Sequence, residues 1–230
     1  MQICRTVADI RAAVAQYRRD GATIGLVTTM GALHAGHMQL VAEAKGTHDR
    51  VIATIFVNPT QFGNPADLES YPRTEAADLA MLEAAGVSAT FIPQVSEIYP
   101  AGDETIVETT RLANMLHGLV RPGHFRGVAT VVCKLFNIIQ ADAAYFGEKD
   151  YQQVLVIKQM VHDLLMPVQI LGQPIVRESD GLAMSSRNAY LSARERELAP
   201  QIYQAIIRAR KKLLPQTLSL IAIETAGMAE

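Results

Sequence analysis

Between Val7 and Arg19, apolar residues recur at Val7, Ile10, Val14 and Tyr17, a helical period that Asp20-Gly21 stops. The run Thr23-Ile24-Gly25-Leu26-Val27 is β-prone. Residues 37–45 read as a helix with Met38, Val41 and Ala42 available to pack. Residues 50–57 form a nearly unbroken apolar run, the pattern of a parallel strand covered on both faces, and Asn58-Pro59 ends it. The alternation then repeats. A helix is predicted over 67–85, closed by Gly86, then a strand over 89–92, a long apolar helix over 127–140 and a strand at 143–146. A helix over 151–165 and a strand over 168–171 follow. Strands alternating with helices predict an α/β domain with a parallel sheet and helices on both faces. Right-handed crossovers then set the C-terminal ends of the strands, and their loops, along one edge.

After Pro174 the pattern changes. Residues 177–187 are polar and rich in Gly and Ser, and from Ser192 the chain is helical and charged. The expected division is a domain over 1–175 and a smaller unit over 176–230 with one or two helices and no strand.

Of the 230 residues, 49% are hydrophobic and 19% charged, which places the chain among ordinary globular proteins. Lys plus Arg total 21 against 23 for Asp plus Glu, so the basic excess that nucleic acid or an anionic membrane requires is missing. Cys4 and Cys133 stand far apart without metal-ligand spacing, which predicts a reducing, cytoplasmic setting. Arg5, Asp9 and Arg11 interrupt the N-terminal apolar residues, so no signal peptide is expected. No apolar run approaches the ~20 residues a bilayer demands.

Four segments carry candidate chemistry. Thr28-Thr29-Met30-Gly31-Ala32-Leu33-His34-Ala35-Gly36-His37 follows a strand and opens a helix, a junction that aims backbone N–H groups and a helix dipole at an anion. His34 and His37, three apart, fall on one face of a helical turn and can donate to phosphate oxygens during displacement at phosphorus. A purely structural histidine pair is the alternative. A helical zinc pair would more usually stand four apart with further ligands nearby. Next, Asn58 and Gln61 lie just past a strand end, where neutral amides can fix a small polyhydroxy acid. A plain Asn-Pro turn is the alternative there. Gly147-Glu148-Lys149-Asp150 leads into Gln152-Gln153; Lys149 suits a phosphate, Asp150 a ribose hydroxyl or a helix cap. Last, Met184-Ser185-Ser186-Arg187 suits a polyphosphate or an ordinary surface loop.

His34-Ala35-Gly36-His37 resembles the HxGH signature of the nucleotidyltransferase superfamily shared with class I aminoacyl-tRNA synthetases. Met184-Ser185-Ser186-Arg187 resembles its serine-containing phosphate loop. Together with FVNPxQF, YPRT (71–74), RPGHFRGV (121–128), FGEKDYQQ and DGLAMSSRN, residues 1 to about 205 resemble the pantoate–β-alanine ligase family, the pantothenate synthetases. The resemblance implies a Rossmann-like fold, a homodimer, and condensation of pantoate with β-alanine through a pantoyl adenylate, releasing pyrophosphate and AMP. It implies ATP with Mg²⁺ held mainly by the phosphates. By the same resemblance, ATP lies on Thr29, Met30, Gly31, Ala32, Leu33, His34, Ala35, Gly36 and His37, with His37 as proton donor. Gly147, Glu148, Lys149 and Asp150 also bind ATP, and Lys149 stabilises the transferring group. Val176 meets adenine through its backbone, and Met184, Ser185, Ser186 and Arg187 close over the phosphates. Gln61 and Gln153 bind pantoate, Gln61 also lying near β-alanine. Asn58 and residues 121–128 shape the pantoate pocket and the subunit contact.

Two departures stand out. Thr28 replaces the family's usual proline, which predicts a less rigid approach to the motif. The family continues into a C-terminal lid with its own small sheet, whereas this chain ends at Glu230, so a shortened lid with weaker closure is expected. Two other readings remain. One is a nucleotidyltransferase of the same superfamily, although neutral Gln61 and Gln153 fit a phosphate acceptor poorly. The other is a shortened chain that binds ATP and pantoate with little turnover.

Overall fold

The computed structural model describes residues 1–213. The chain divides into two compact units, Met1–Pro174 and Ile175–Glu230, and the expectations for residues 214–230 lie outside the described part.

The first unit runs β1 (Gln2–Cys4), α1 (Val7–Arg19), β2 (Ile24–Thr29), α2 (Ala35–Thr47), β3 (Arg50–Ile55), α3 (Pro65–Ser70), α4 (Glu75–Ala84) and β4 (Ala89–Phe91). The short helices α5 (Val95–Ile98) and α6 (His117–Val120) follow, then α7 (His124–Ile139), β5 (Ala143–Gly147), α8 (Tyr151–Asp163) and β6 (Gln169–Gln173). The six strands make one parallel sheet in the order β1-β4-β3-β2-β5-β6.

Alternation along each strand divides the core between two faces. Ile24, Leu26, Ile52, Ala144 and Phe146 pack with Ile10 and Val14 of α1, Leu135 and Phe136 of α7, and Val154 and Ile157 of α8. Val27, Val51, Ala53 and Tyr145 pack on the other face with Leu40, Val41 and Ala44 of α2 and Leu82 of α4. Covering both faces explains why β3 reads as a nearly unbroken apolar run. The fold is therefore the expected α/β, Rossmann-like sheet.

Three local expectations change. β1 was not expected, because three residues at a sheet edge are too few to show a period. The helix predicted over 67–85 is two helices. Pro72 has no N–H to donate and disfavours a helical Tyr71, so the chain breaks at residues 71–74, and the Tyr71 ring packs edge-on against Phe62. On α2, Met38 and Val41 pack inward as expected and Leu40 and Ala44 join them, while Ala42 faces solvent.

From central β2 the chain passes to β3 and β4 on one side and later to β5 and β6 on the other. That reversal opens a crevice at the C-terminal ends of β2 and β5. The opposite end of the same pair is clasped by Asp142, which accepts hydrogen bonds from Ile24 N (2.6 Å) and from the Arg18 guanidinium (2.7 Å). Arg18 also donates to Gln140 O at 2.7 Å.

In the second unit, α9 (Ala193–Leu198) starts from a Ser192 capping box with Glu195, and α10 (Pro200–Leu213) follows. Among the described residues its β structure is one isolated antiparallel bridge, Arg177 to Ala183. The Arg177 guanidinium stacks on Tyr203, 3.8 Å from the ring centroid, and Arg196 pairs with Asp180 at 2.6 Å. No helix among the described residues is long and apolar enough to cross a membrane.

One close approach in the first unit bears directly on the crevice. A Cβ on Gly127 of α7 would lie 2.5 Å from Thr60 O and 2.7 Å from Gln61 N, both backbone atoms. Gly127→Ala is expected to lower the unfolding free energy by about 1–3 kcal/mol through overpacking. Urea denaturation measures this, and a wild-type midpoint would refute the close approach.

Candidate active site

The turn after β2 is held by its own side chains. Thr29 is buried and its hydroxyl donates to Thr54 O of β3 (2.7 Å) while accepting from Gly31 N (3.1 Å). Gly31 and Ala32 then take left-handed conformations, with φ of 83° and 49°. Successive left-handed residues converge their N–H groups into a nest that suits an anion. The anion there is internal. Asp78 of α4, 2% exposed, accepts from Ala32 N (3.0 Å) and Leu33 N (2.8 Å), and from the Thr74 hydroxyl (3.1 Å). Leu33 itself packs against the core under α2. The backbone donors of Gly31, Ala32 and Leu33, expected at phosphate, are thus engaged inside the protein.

The histidine pair is also arranged differently from a helical face. His34 precedes α2 as its N-cap, with extended backbone. Its Nδ1 accepts from Gly36 N (3.1 Å), and His37 Nδ1 accepts from His34 N (3.3 Å). This is a capping box made of two imidazoles, their ring centroids 4.0 Å apart. Because each Nδ1 accepts a hydrogen bond, each neutral ring carries its proton on Nε2. Burial above all, then the neighbouring His34 and Lys149 charges, lower the His37 pKa from 6.5 to about 3 against an opposing pull from Asp150. His37 is therefore a neutral donor at ordinary pH. Lys149 and Asp150 of the loop after β5 lie close enough to His37 for their charges to act on it.

In that loop, Gly147 ends β5, residues 148–150 form a single 3-10 turn, and α8 begins at Tyr151. Glu148 leans over Gly172 of β6, where an added Cβ would meet its carboxylate at 3.0 Å. Lys149 Nζ donates to Asp150 at 2.9 Å in a largely exposed pair. Gln152 is structural: it accepts from His117 N (3.0 Å) and donates to Leu112 O (2.9 Å) and Met115 O (2.7 Å). Gln153 is half-buried and has no side-chain hydrogen bond among the described residues.

After β3, Asn58 is 1% exposed and its amide is fully used. Nδ2 donates to Gln61 Oε1 (2.9 Å) and Gly127 O (3.1 Å); Oδ1 accepts from Tyr99 OH (2.9 Å) and the Thr60 hydroxyl (2.9 Å). The structure thus gives Asn58 internal partners where a ligand contact was expected. Gln61 Nε2 rests on Met30 Sδ at 3.3 Å, which joins this turn to the one after β2. His124 Nδ1 donates to Gln61 O at 2.9 Å, a support residue inside the 121–128 motif, and burial pushes its pKa down.

The remaining expected residues belong to the second unit. Met184 N donates to Val176 O (3.0 Å), and Ser185 Oγ caps a short 3-10 turn over Ser186–Tyr190 by accepting from Arg187 N (3.2 Å). Asp78 and Tyr99 had no place among the expected site residues. The signal for Asp78 was a carboxylate four residues before Leu82 on the packing face of α4.

Residues 2–229 match the family model for pantoate–β-alanine ligase. The chain is 53% identical to the pantothenate synthetase of Sinorhizobium medicae over 211 residues, 92% of this chain and 72% of that protein. It superposes on a pantothenate synthetase crystal structure from Thermus thermophilus with a TM-score of 0.93 at 47% identity, covering 100% of this chain and 81% of that one. The pantoate–β-alanine ligase of Francisella tularensis, crystallised with a β,γ-ATP compound and β-alanine, aligns with a TM-score of 0.85 at 42% identity, covering 89% and 78%.

The depressed His37 pKa has a stability consequence. The unfolded chain takes up the proton at pH ~6.5 and the folded one only near 3, so stability is whole above pH 6.5 and is lost as the pH falls toward 3. Replacing His37 by Gln is expected to flatten that acid-side loss in the ligand-free protein. Urea titrations at stepped pH read the slope; an unchanged slope would contradict the buried neutral ring.

Proposed function

The chain belongs to the pantoate–β-alanine ligase family, and from that premise we propose how its own residues join pantoate to β-alanine through a pantoyl adenylate. It is an ATP-dependent acid–amine ligase. The observation that carries the residue assignment is the Met30–Gln61 contact, which puts the nucleotide turn beside a neutral amide at the β2–β5 crevice. A carboxylate fixed by Gln61 then lies next to the α-phosphate it must attack.

In the first step a pantoate carboxylate oxygen bonds to the α-phosphorus and the bond to the β-phosphate oxygen breaks, releasing pyrophosphate. The amine of β-alanine then attacks the acyl carbon, AMP leaves, and the amide of pantothenate remains. Adenylation is needed because a free carboxylate repels an amine and offers only a poor leaving group. His34 and His37 donate Nε2–H hydrogen bonds to the phosphates, His37 while staying neutral. Lys149 leaves Asp150 to balance the charge that builds at the transferring phosphorus. Gln61 and Gln153 orient pantoate without a charge that would hold it too tightly or compete for Lys149. Asn58, with every amide atom engaged, positions Gln61 rather than touching substrate. By the family resemblance, Ser185, Ser186 and Arg187 are polyphosphate donors as well.

Among the described residues no group of three His, Cys, Asp or Glu could hold a metal ion. Mg²⁺ would come carried on the ATP phosphates, where it neutralises phosphate charge. The exposed apolar side chains of Leu116, Leu119 and Val120 at α6 suit burial against a second copy in a homodimer. Two free cysteines and the use of ATP agree with a cytoplasmic enzyme.

Pantoate-dependent pyrophosphate release from MgATP, followed by AMP release on adding β-alanine, tests the reading; no pantoate-dependent pyrophosphate from folded protein would reject it. Lys149→Ala is expected to slow adenylate formation by about 10²–10³-fold while ATP affinity changes far less. Equal losses in both would remove its transition-state role. Gln153→Glu should raise the KM for pantoate by about tenfold or more through like-charge repulsion, with the KM for ATP nearly constant.

A further inference from the structure

The left-handed turn between β2 and α2 depends on a residue more than forty positions away. Gly31 and Ala32 both have positive φ, and for Ala32 this conformation is strained. The compensation is the Asp78 carboxylate, which collects the N–H groups of Ala32 and Leu33 at 3.0 and 2.8 Å. Its position is set in turn by α4, whose Leu82 is buried in the core, and by the Thr74 hydroxyl at 3.1 Å. Gly31 leaves room for it: a Cβ there would stand 3.0 Å from Asp78 Oδ2. His34 comes directly after Leu33, and its backbone N–H is the donor that orients the His37 ring.

We propose that Asp78 is a positioning residue for adenylate formation, holding the Gly31–Ala32 turn in the conformation that aims His34 and His37 at the phosphates. The inference rests on the proposed contact of His34 and His37 with the ATP phosphates. Asp78 does not touch the nucleotide. Its carboxylate occupies the nest that a phosphate would otherwise enter, so the nucleotide meets imidazole Nε2–H groups instead of the turn's backbone. A neutral amide in its place would keep the shape but point an N–H₂ group at one of two backbone donors. The turn would then relax and the two rings would lose their common aim.

The test uses the full chain and pantoate-dependent pyrophosphate release from MgATP, with circular dichroism to establish folding. Asp78→Asn is expected to lower kcat roughly 10–100-fold, as a displaced catalytic geometry does, with the KM for pantoate within about twofold of wild type. Ala32→Gly added to Asp78→Asn should recover at least about threefold, because glycine adopts positive φ without outside support. Thr74→Val, which removes only one of the carboxylate's donors, should lower kcat by about threefold or more. A wild-type kcat in folded Asp78→Asn overturns the proposal. So does a pantoate KM that rises as much as kcat falls, or a failure of Ala32→Gly to restore rate. If Asp78→Asn does not fold, Thr74→Val decides: an unchanged kcat overturns the proposal, a loss confined to kcat supports it. Wild-type protein in the same assay keeps the two readings apart. An active wild type with an indifferent Asp78 rejects only the positioning role, whereas an inactive folded wild type rejects the ATP site and the positioning role with it.

Discussion

Each N–H that leaves a β-strand for a helix needs an acceptor, and in the turn after β2 the protein supplies them from within. The Thr29 hydroxyl takes Gly31 N, the Asp78 carboxylate takes Ala32 N and Leu33 N, and the two imidazoles take His34 N and Gly36 N. An unmet buried donor costs about 1–3 kcal/mol, so a chain with several of them could not hold this turn against solvent. Internal acceptors hold the turn by its own contacts, and the backbone N–H groups of Gly31, Ala32, Leu33, His34 and Gly36 are all spent on them.

The second wall obeys the same rule with different chemistry. Asn58 spends its whole amide on Gln61, Gly127, Thr60 and Tyr99, and Gly127 lets α7 approach the backbone of residues 60 and 61 without a side chain between them. His124 closes the arrangement by donating to Gln61 O. Gln61 is thus held from three sides, while the Gln153 side chain on α8 has no hydrogen bond among the described residues. The two amides differ in freedom although the sequence makes them look alike.

The sheet was legible because a parallel strand buried on both faces writes a long apolar run, as β3 does, and because short β-prone segments alternate with helical periods on either side of it. The loops carrying His34, Gln61 and Lys149 were legible for the related reason that strand C-terminal ends are where such folds place ligands. Less legible was anything decided by partners distant in sequence. Asp78 reads as one acidic residue in a charged helix until α4 packs and delivers it to residues 32 and 33. The break at Pro72 was visible in the letters but was outweighed by the apolar period on either side. His34 and His37 carried the right spacing for a shared helical face, yet the helix begins at Ala35 and leaves His34 as its cap.

The contact between Gln61 Nε2 and the Met30 sulfur has a further meaning for substrate entry. A thioether is a weak acceptor, so the amide is kept in one rotamer by a bond that is easily given up. On the proposed pantoate site, an incoming carboxylate or hydroxyl oxygen would exchange that weak bond for a strong one. Recognition would then gain both the hydrogen bond and the ordering already done, and departure of product would return the amide to sulfur rather than leave it to search.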